Sequence, residues 1–438
     1  MTELSGFPFF PVEFDKQGKV HDPAQPKALD AYLAKGGTTD LIVFSHGWNN
    51  DMADARKLYA DFCASARAVL DAGKIPGAAT RKFAVLGVLW PSKKFTDADL
   101  IPSGAASAGA MLDLDGLRKQ LRGLHGTFDA KNADQTLIDL EKLLPNLEDS
   151  ASACKKFVDG VRGLMKPHAG DEADAAKLFF AMPAGELFTK LQQPVSFTTA
   201  TAPLDGGAAA IDDAGGSAGL GSFFSGIGSG VSNLLNLTTY YQMKERAGLV
   251  GVVGVNPLVA GLKKKYPTLR LHLVGHSFGA RLVTAVAAGA DQASLLKVNS
   301  LSLLQAAYSH YGLAQKWDGE HDGAFRRVVT QGAITGPTII TCSRNDTAVG
   351  LAYPLASLVA GQVAADLGDE HDKYGGLGRN GAQKTPEAIT ATLLDVGGAY
   401  HLVPGKIHNL HADTFISNHG DVTNKAVAYA VLTVIAAT

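Results

Sequence analysis

The sequence predicts an α/β fold: a mostly parallel central sheet flanked by helices and interrupted by a large helical insertion. Three observations lead there. Short runs rich in Leu, Val and Ile recur at 41–44, 83–90, 271–274 and 337–341, apolar on both faces and ending near Gly, Ser, Asn or Asp. Such runs suit strands buried in a parallel sheet. Stretches with helical spacing lie between them, as α/β winding requires. The alternation then breaks between about 94 and 235.

Taken in order, the first run leads through Ser45-His46-Gly47-Trp48-Asn49-Asn50 into a helix over 53–68, and the second covers 83–90. The interruption follows, with helical spacing and mixed charge at 112–124, 137–144 and 157–165, then a Gly/Ala/Ser-rich tract at 206–230. Roughly 140 residues far exceed an ordinary loop. The expected organisation is a core of residues 1–93 and 236–438 around a helical cap at 94–235, with a flexible linker or lid at about 204–231 that carries Phe223, Phe224 and Ile227. A helix over 238–265 approaches the third strand, a helix over 281–288 leaves it, and a helix from 422 to about 435 closes the chain.

A chain of 438 residues, 46% hydrophobic and 19% charged, can bury a large core. Its 40 basic and 42 acidic residues leave a net charge of -2, which makes no electrostatic case for nucleic acid or an anionic membrane as partner. Three widely spaced cysteines, Cys63, Cys154 and Cys342, fit neither a disulfide framework nor a zinc cluster. The N-terminus lacks a signal-peptide pattern, and the apolar run 426–437 is too short to span a bilayer. A cytoplasmic protein is expected.

The pattern Gly-x-Ser-x-Gly occurs twice. With 49 glycines, chance supplies it about 0.3 times, so context must decide. Ser217 sits in the Gly/Ala tract with neither strand nor helix beside it, and a nucleophile there has no rigid support. Ser277, in Gly275-His276-Ser277-Phe278-Gly279, has the strand 269–274 behind it and a helix ahead. A tight turn at that point lifts the hydroxyl above the C-terminal edge of the sheet, with Gly275 and Gly279 removing side chains that would collide.

A serine hydroxyl needs a base to take its proton and an acid to orient that base. In chain order after Ser277, Asp346 stands in the polar turn Arg344-Asn345-Asp346 just past the fourth strand; Asp322 and Asp372 follow no strand directly. Of the five later histidines, His419 lies in a loop between a last strand and the closing helix, over the same sheet edge. His408 and His411 fall within or beside that strand, and Asp421 is expected to cap the helix. For the oxyanion, the backbone N–H groups of Phe278 and Trp48 are the expected donors, Trp48 also walling the substrate pocket, with His46 bracing its loop.

The His46-Gly47-Trp48 loop, the Gly275–Gly279 turn, Asp346 and His419 together resemble the α/β-hydrolase superfamily over about residues 38–91 and 236–438. The Leu89-Trp90-Pro91-Ser92 segment and the Asn49-Asn50 pair are similar to a poorly characterised bacterial branch. The resemblance implies catalysis by Ser277, Asp346 and His419 without a cofactor, and the apolar-aromatic linker and the cap favour a small-molecule ester with an apolar acyl group. A carboxylesterase or lipase is expected; a thioesterase, amidase or acyltransferase would use the same residues, and the rival class is a non-catalytic binding module of this fold. Two further signals point elsewhere. His408-x-x-His411-x-Asp413, near His401, lacks the spacing of a helical zinc motif, so no metal is expected. Gly375-Gly376-Leu377-Gly378-Arg379-Asn380-Gly381 lacks the lysine and strand of a phosphate loop and reads as turns at the mouth of the site.

Overall fold

The computed structural model of the chain describes residues 2–48, 50–92, 113–165, 176–192, 226–346 and 374–438. The chain divides into two compact units: Met1–Lys93, Lys244–Val349 and Gly376–Thr438 form the first, Lys94–Met243 and Gly350–Gly375 the second. The tract expected as linker or lid, up to residue 225, lies outside the described residues, as do Ser217, Phe223, Phe224 and Asp372; Ile227 begins a helix, Ile227–Leu249.

The first unit is an α/β structure built on one nine-stranded sheet. Its strands are β1 (Thr2–Leu4), β2 (Phe7–Glu13), β3 (Asp40–Ser45), β4 (Phe83–Leu89), β5 (Arg270–His276), β6 (Ser300–Leu304), β7 (Thr338–Cys342), β8 (Ala388–Thr392) and β9 (Ile407–His411). They lie in the order β1-β2-β4-β3-β5-β6-β7-β9-β8, and only β1 runs antiparallel to its neighbour. The four runs apolar on both faces are β3, β4, β5 and β7. β2 is less legible because Pro8 and Pro11 interrupt it, yet it pairs parallel with β4. β8 carries a mostly exposed pattern, as a strand at the sheet edge can.

Alternation along the strands divides the core between two helical layers. Ile42 and Phe44 of β3 join Tyr59, Phe62 and Cys63 of α1 (Met52–Asp71) and Val427, Val431 and Ile435 of α3 (Lys425–Ala436) in one buried cluster. On β5 and β3 packs α2 (Phe278–Ala288), all but one of whose residues are buried. Asp51 starts α1 with a capping box: its side chain accepts from Ala53 and Asp54 amides, and Asp54 accepts from its own. The helix expected over 238–265 is broken by a π-helical stretch, Val250–Val255. There a Cβ on Gly251 would overlap the Leu282 carbonyl, so the missing side chain is what lets this stretch lie against α2.

Two expectations are corrected. Asp421 does not cap the last helix: Asn424 does, accepting from the Val427 amide at 3.0 Å, while Asp421 accepts from the Ser417 amide and hydroxyl and from Asn424 Nδ2. The 375–381 stretch is not simply turns, because Leu377–Asn380 closes a helical turn. In the second unit, helices Leu114–Gly123, Ala133–Leu143, Ala151–Gly163, Ala176–Ala181 and Ala184–Leu191 each bury an apolar side, including Leu121, Leu140, Phe157, Phe179 and Leu187. Gly160 sits where a Cβ would lie 2.8 Å from Leu140. Among the described residues, no helix is long and apolar enough to cross a membrane.

At the N-terminal edge of the sheet a polar knot ties three strands. Fully buried Asp40 of β3 bonds His272 Nε2 of β5 at 2.9 Å and Arg81 at 2.6 Å, while His272 Nδ1 meets Ser300 Oγ of β6 at 2.8 Å. Burial pushes the Asp40 carboxyl up, but the bonds from His272 and Thr39 and the charge of Arg81 outweigh it and hold its pKa below the ordinary value. A folded pKa below the unfolded one stabilises above the unfolded value, and that contribution is lost as pH falls through the folded pKa. Asp40→Ala should therefore lower unfolding free energy by about 3–5 kcal/mol in urea at neutral pH, with a smaller difference from wild type in acid.

Candidate active site

Between the end of β5 and the start of α2 stands one residue, Ser277. Its φ of 56° and ψ of -124° lie where residues with a Cβ are strained, at a cost of about 1–3 kcal/mol. Hydrogen bonds hold it there: its N–H donates to the Leu304 carbonyl at 3.0 Å, and its carbonyl accepts from Ala280 and Ala307. The flanking glycines are steric necessities. A Cβ on Gly275 would run into the Gly279 carbonyl, and one on Gly279 into the carbonyls of Ser45 and His46. From the other side comes Gly47, where a Cβ would lie 2.6 Å from Ser277 Cβ. The loop after β3 thus rests directly on the serine.

Asp346 follows β7 and is fully buried. Its two carboxylate oxygens lie 3.0 and 2.9 Å from His419 Nδ1. A carboxylate only accepts, so Nδ1 carries the proton and Nε2 is the proton acceptor. The His419 side chain is 22% exposed, whereas Asp346 is shut away from solvent. Among the described residues, no hydrogen bond joins the Ser277 hydroxyl to His419; such bonds commonly tighten only with substrate in place. What joins the serine's turn to the His419 loop is His276, whose Nε2 donates to the His419 carbonyl at 2.9 Å.

Asp346 is held in part by a residue not singled out from the sequence. Gln305, the first residue past β6, adopts φ 44° and donates through Nε2 to Asp346 at 2.9 Å and to the Gly378 carbonyl at 3.1 Å. The Gly375–Gly381 stretch, expected at the mouth of the site, buttresses this loop: the Gly378 carbonyl also accepts from the Ser343 amide, and Arg379 donates to the Arg344 carbonyl. Asn345 Nδ2 donates to the Asp413 and Ile416 carbonyls, fastening the acid's turn to the segment after β9. The signal for Gln305 would have been its position, since β5, β6 and β7 all deliver their next residue to one sheet edge.

The loop after β3 is organised by His46. Its Nε2 accepts from the Trp90 amide at 3.2 Å, so Nδ1 bears the proton and donates to the Gly47 carbonyl at 2.9 Å. Burial pushes its pKa down to about 4, and the ring stacks on Trp90 with centroids 5.5 Å apart. His46 is a neutral brace. Trp48 is half-buried, with its ring 5.9 Å from that of Phe278. Phe278 is the first residue of α2, where an amide lies outside the intrahelical ladder.

The remaining candidates do other work. Asp322 accepts the Lys316 amide in an exposed loop, and His408 accepts the Val403 amide. His411 is exposed near Cys342, and Asp413 pairs with Arg344 at 2.8 Å. No group of three His, Cys, Asp or Glu among the described residues could hold a metal ion. No family model matches the chain, and no curated protein or solved structure matches it either.

The contact at Gly47 is testable. Gly47→Ala should push the 46–48 loop and Ser277 apart and slow covalent labelling of the serine by a fluorophosphonate about tenfold or more, read as label incorporated per minute.

Proposed function

We propose that the chain is a serine hydrolase of the α/β-hydrolase class, cleaving carboxylic esters through Ser277, His419 and Asp346. The observation that carries this reading is the bonded Asp346–His419 pair at the sheet edge where Ser277 stands in its strained turn. The chain order Ser, Asp, His supports it, because that order belongs to this class of hydrolase. Ser277 Oγ attacks the ester carbonyl while His419 Nε2 takes its proton, and Asp346 steadies the imidazolium that forms. The oxyanion is received by the backbone N–H groups of Phe278 and Trp48. Collapse expels the alcohol with the proton from His419 and leaves an acyl group on Ser277. Water, deprotonated by His419, then releases the acid and restores the serine. An ester makes a smaller demand on the acid than an amide does, because an alkoxide is a better leaving group than an amide anion.

The decisive experiment is a panel of p-nitrophenyl esters of increasing acyl length, run beside a fluorophosphonate probe. Wild type should turn over at least one ester and take up one label on Ser277; Ser277→Ala should take up none and lose about 10⁴-fold or more in kcat. Absence of both labelling and turnover of any ester, thioester or amide sinks the enzyme reading in favour of a binding module. For the base, His419→Ala should stop labelling and His411→Ala should not; the reverse result reassigns it.

A further inference from the structure

The residue before the nucleophile is a histidine that the proposed chemistry does not use. His276 is 6% exposed, and its ring lies 4.9 Å from that of His419. Its Nε2 faces the His419 carbonyl oxygen at 2.9 Å. A carbonyl only accepts, so Nε2 carries the proton and Nδ1 is a bare lone pair, with no hydrogen-bond partner among the described residues. Burial first, and then the neighbouring His419, pushes the ring's pKa down to about 3. The ring is therefore neutral at neutral pH and adds no charge beside His419.

His419 has two attachments of different kinds. Asp346 holds the ring at Nδ1, but a ring can still swing about its own backbone. His276 holds the backbone: it reaches one residue back from Ser277 along the chain to the main-chain carbonyl of the base itself. One short rigid side chain thus sets the separation between the strand that bears the serine and the loop that bears the base. We propose that His276 is a positioning residue that fastens the His419 loop to the nucleophile's turn through its Nε2–H. This rests on the hydrolase reading above.

Reach and donor character separate this role from simple core filling. The side-chain amide nitrogen of Gln falls near the place of His Nε2, that of Asn falls short, and Phe fills the space without a donor. Ester turnover should therefore fall about ten- to a hundredfold in kcat for His276→Phe and His276→Asn, with KM little changed, and His276→Gln should recover to within a fewfold of wild type. Thermal unfolding of all three identifies the variants that fold, and the Asn/Gln pair compares one chemistry at two lengths. Equal rates for Asn and Gln, or a Phe variant as fast as wild type, overturn the proposal. A second measurement does not need catalysis: with ¹⁵N-histidine labelling, His276 should appear as the neutral Nε2–H tautomer, and the Asp346-bonded Nδ1–H of His419 should persist in wild type and Gln and broaden or vanish in Phe and Asn. If the wild type hydrolyses nothing and Ser277 takes no label, the hydrolase reading fails while this spectrum still decides the fastening. The other tautomer at His276, or a His419 signal indifferent to all three substitutions, overturns it.

Discussion

Everything at the C-terminal edge of the sheet depends on one close approach, in which the loop after β3, the end of β5 and the start of α2 meet around the backbone of Ser277. Three chain segments cannot share that volume with side chains present. Gly47, Gly275 and Gly279 make room, and the room is used by carbonyl and Cβ contacts that leave the serine in a strained conformation. A strained residue persists only where its surroundings over-determine it. Here the Leu304 carbonyl and the Ala280 and Ala307 amides do so, and α1 and α2 hold the strands from either face.

Burial sorts the histidines around that point. His46 and His276 are shut away, are driven to low pKa by desolvation, and each spends one ring nitrogen on a main-chain carbonyl. Both are rigid neutral struts. His419 alone among the three is bonded to a carboxylate, and its side chain is partly exposed. The same comparison explains why composition does not make a site. Asp40, His272 and Ser300 form an Asp–His–Ser chain of hydrogen bonds at the opposite edge of the sheet, but with 0%, 0% and 1% exposure no substrate can reach it. It serves as a knot between strands.

Legibility in the fold followed apolar patterning rather than burial, since β6, with Ser300 and Ser302 in it, is as buried as its neighbours and went unmarked. β3, β4, β5 and β7 declared themselves because a central parallel strand is apolar on both faces. β2, with its two prolines, pairs with β4 some way along the chain, and β8, with its exposed residues, is held at the sheet edge by β9 alone. Asp421 misled because an acid before a helix is a good cap by type, whereas capping depends on which side chain the loop turns toward the first amides, and that is Asn424.

The glycine-flanked serine, the acid after one strand and the histidine before the last helix could each be read from local sequence, because each is marked by an abrupt change from apolar run to polar turn. Their convergence could not. That Asp346 and His419, 73 residues apart, share a hydrogen bond follows from β7 and β9 lying side by side and ending at one edge. Gln305 and His276 owe their roles to that same convergence. One is the next residue of a strand and the other a letter inside a motif, and neither acquires a partner until the sheet has assembled around it.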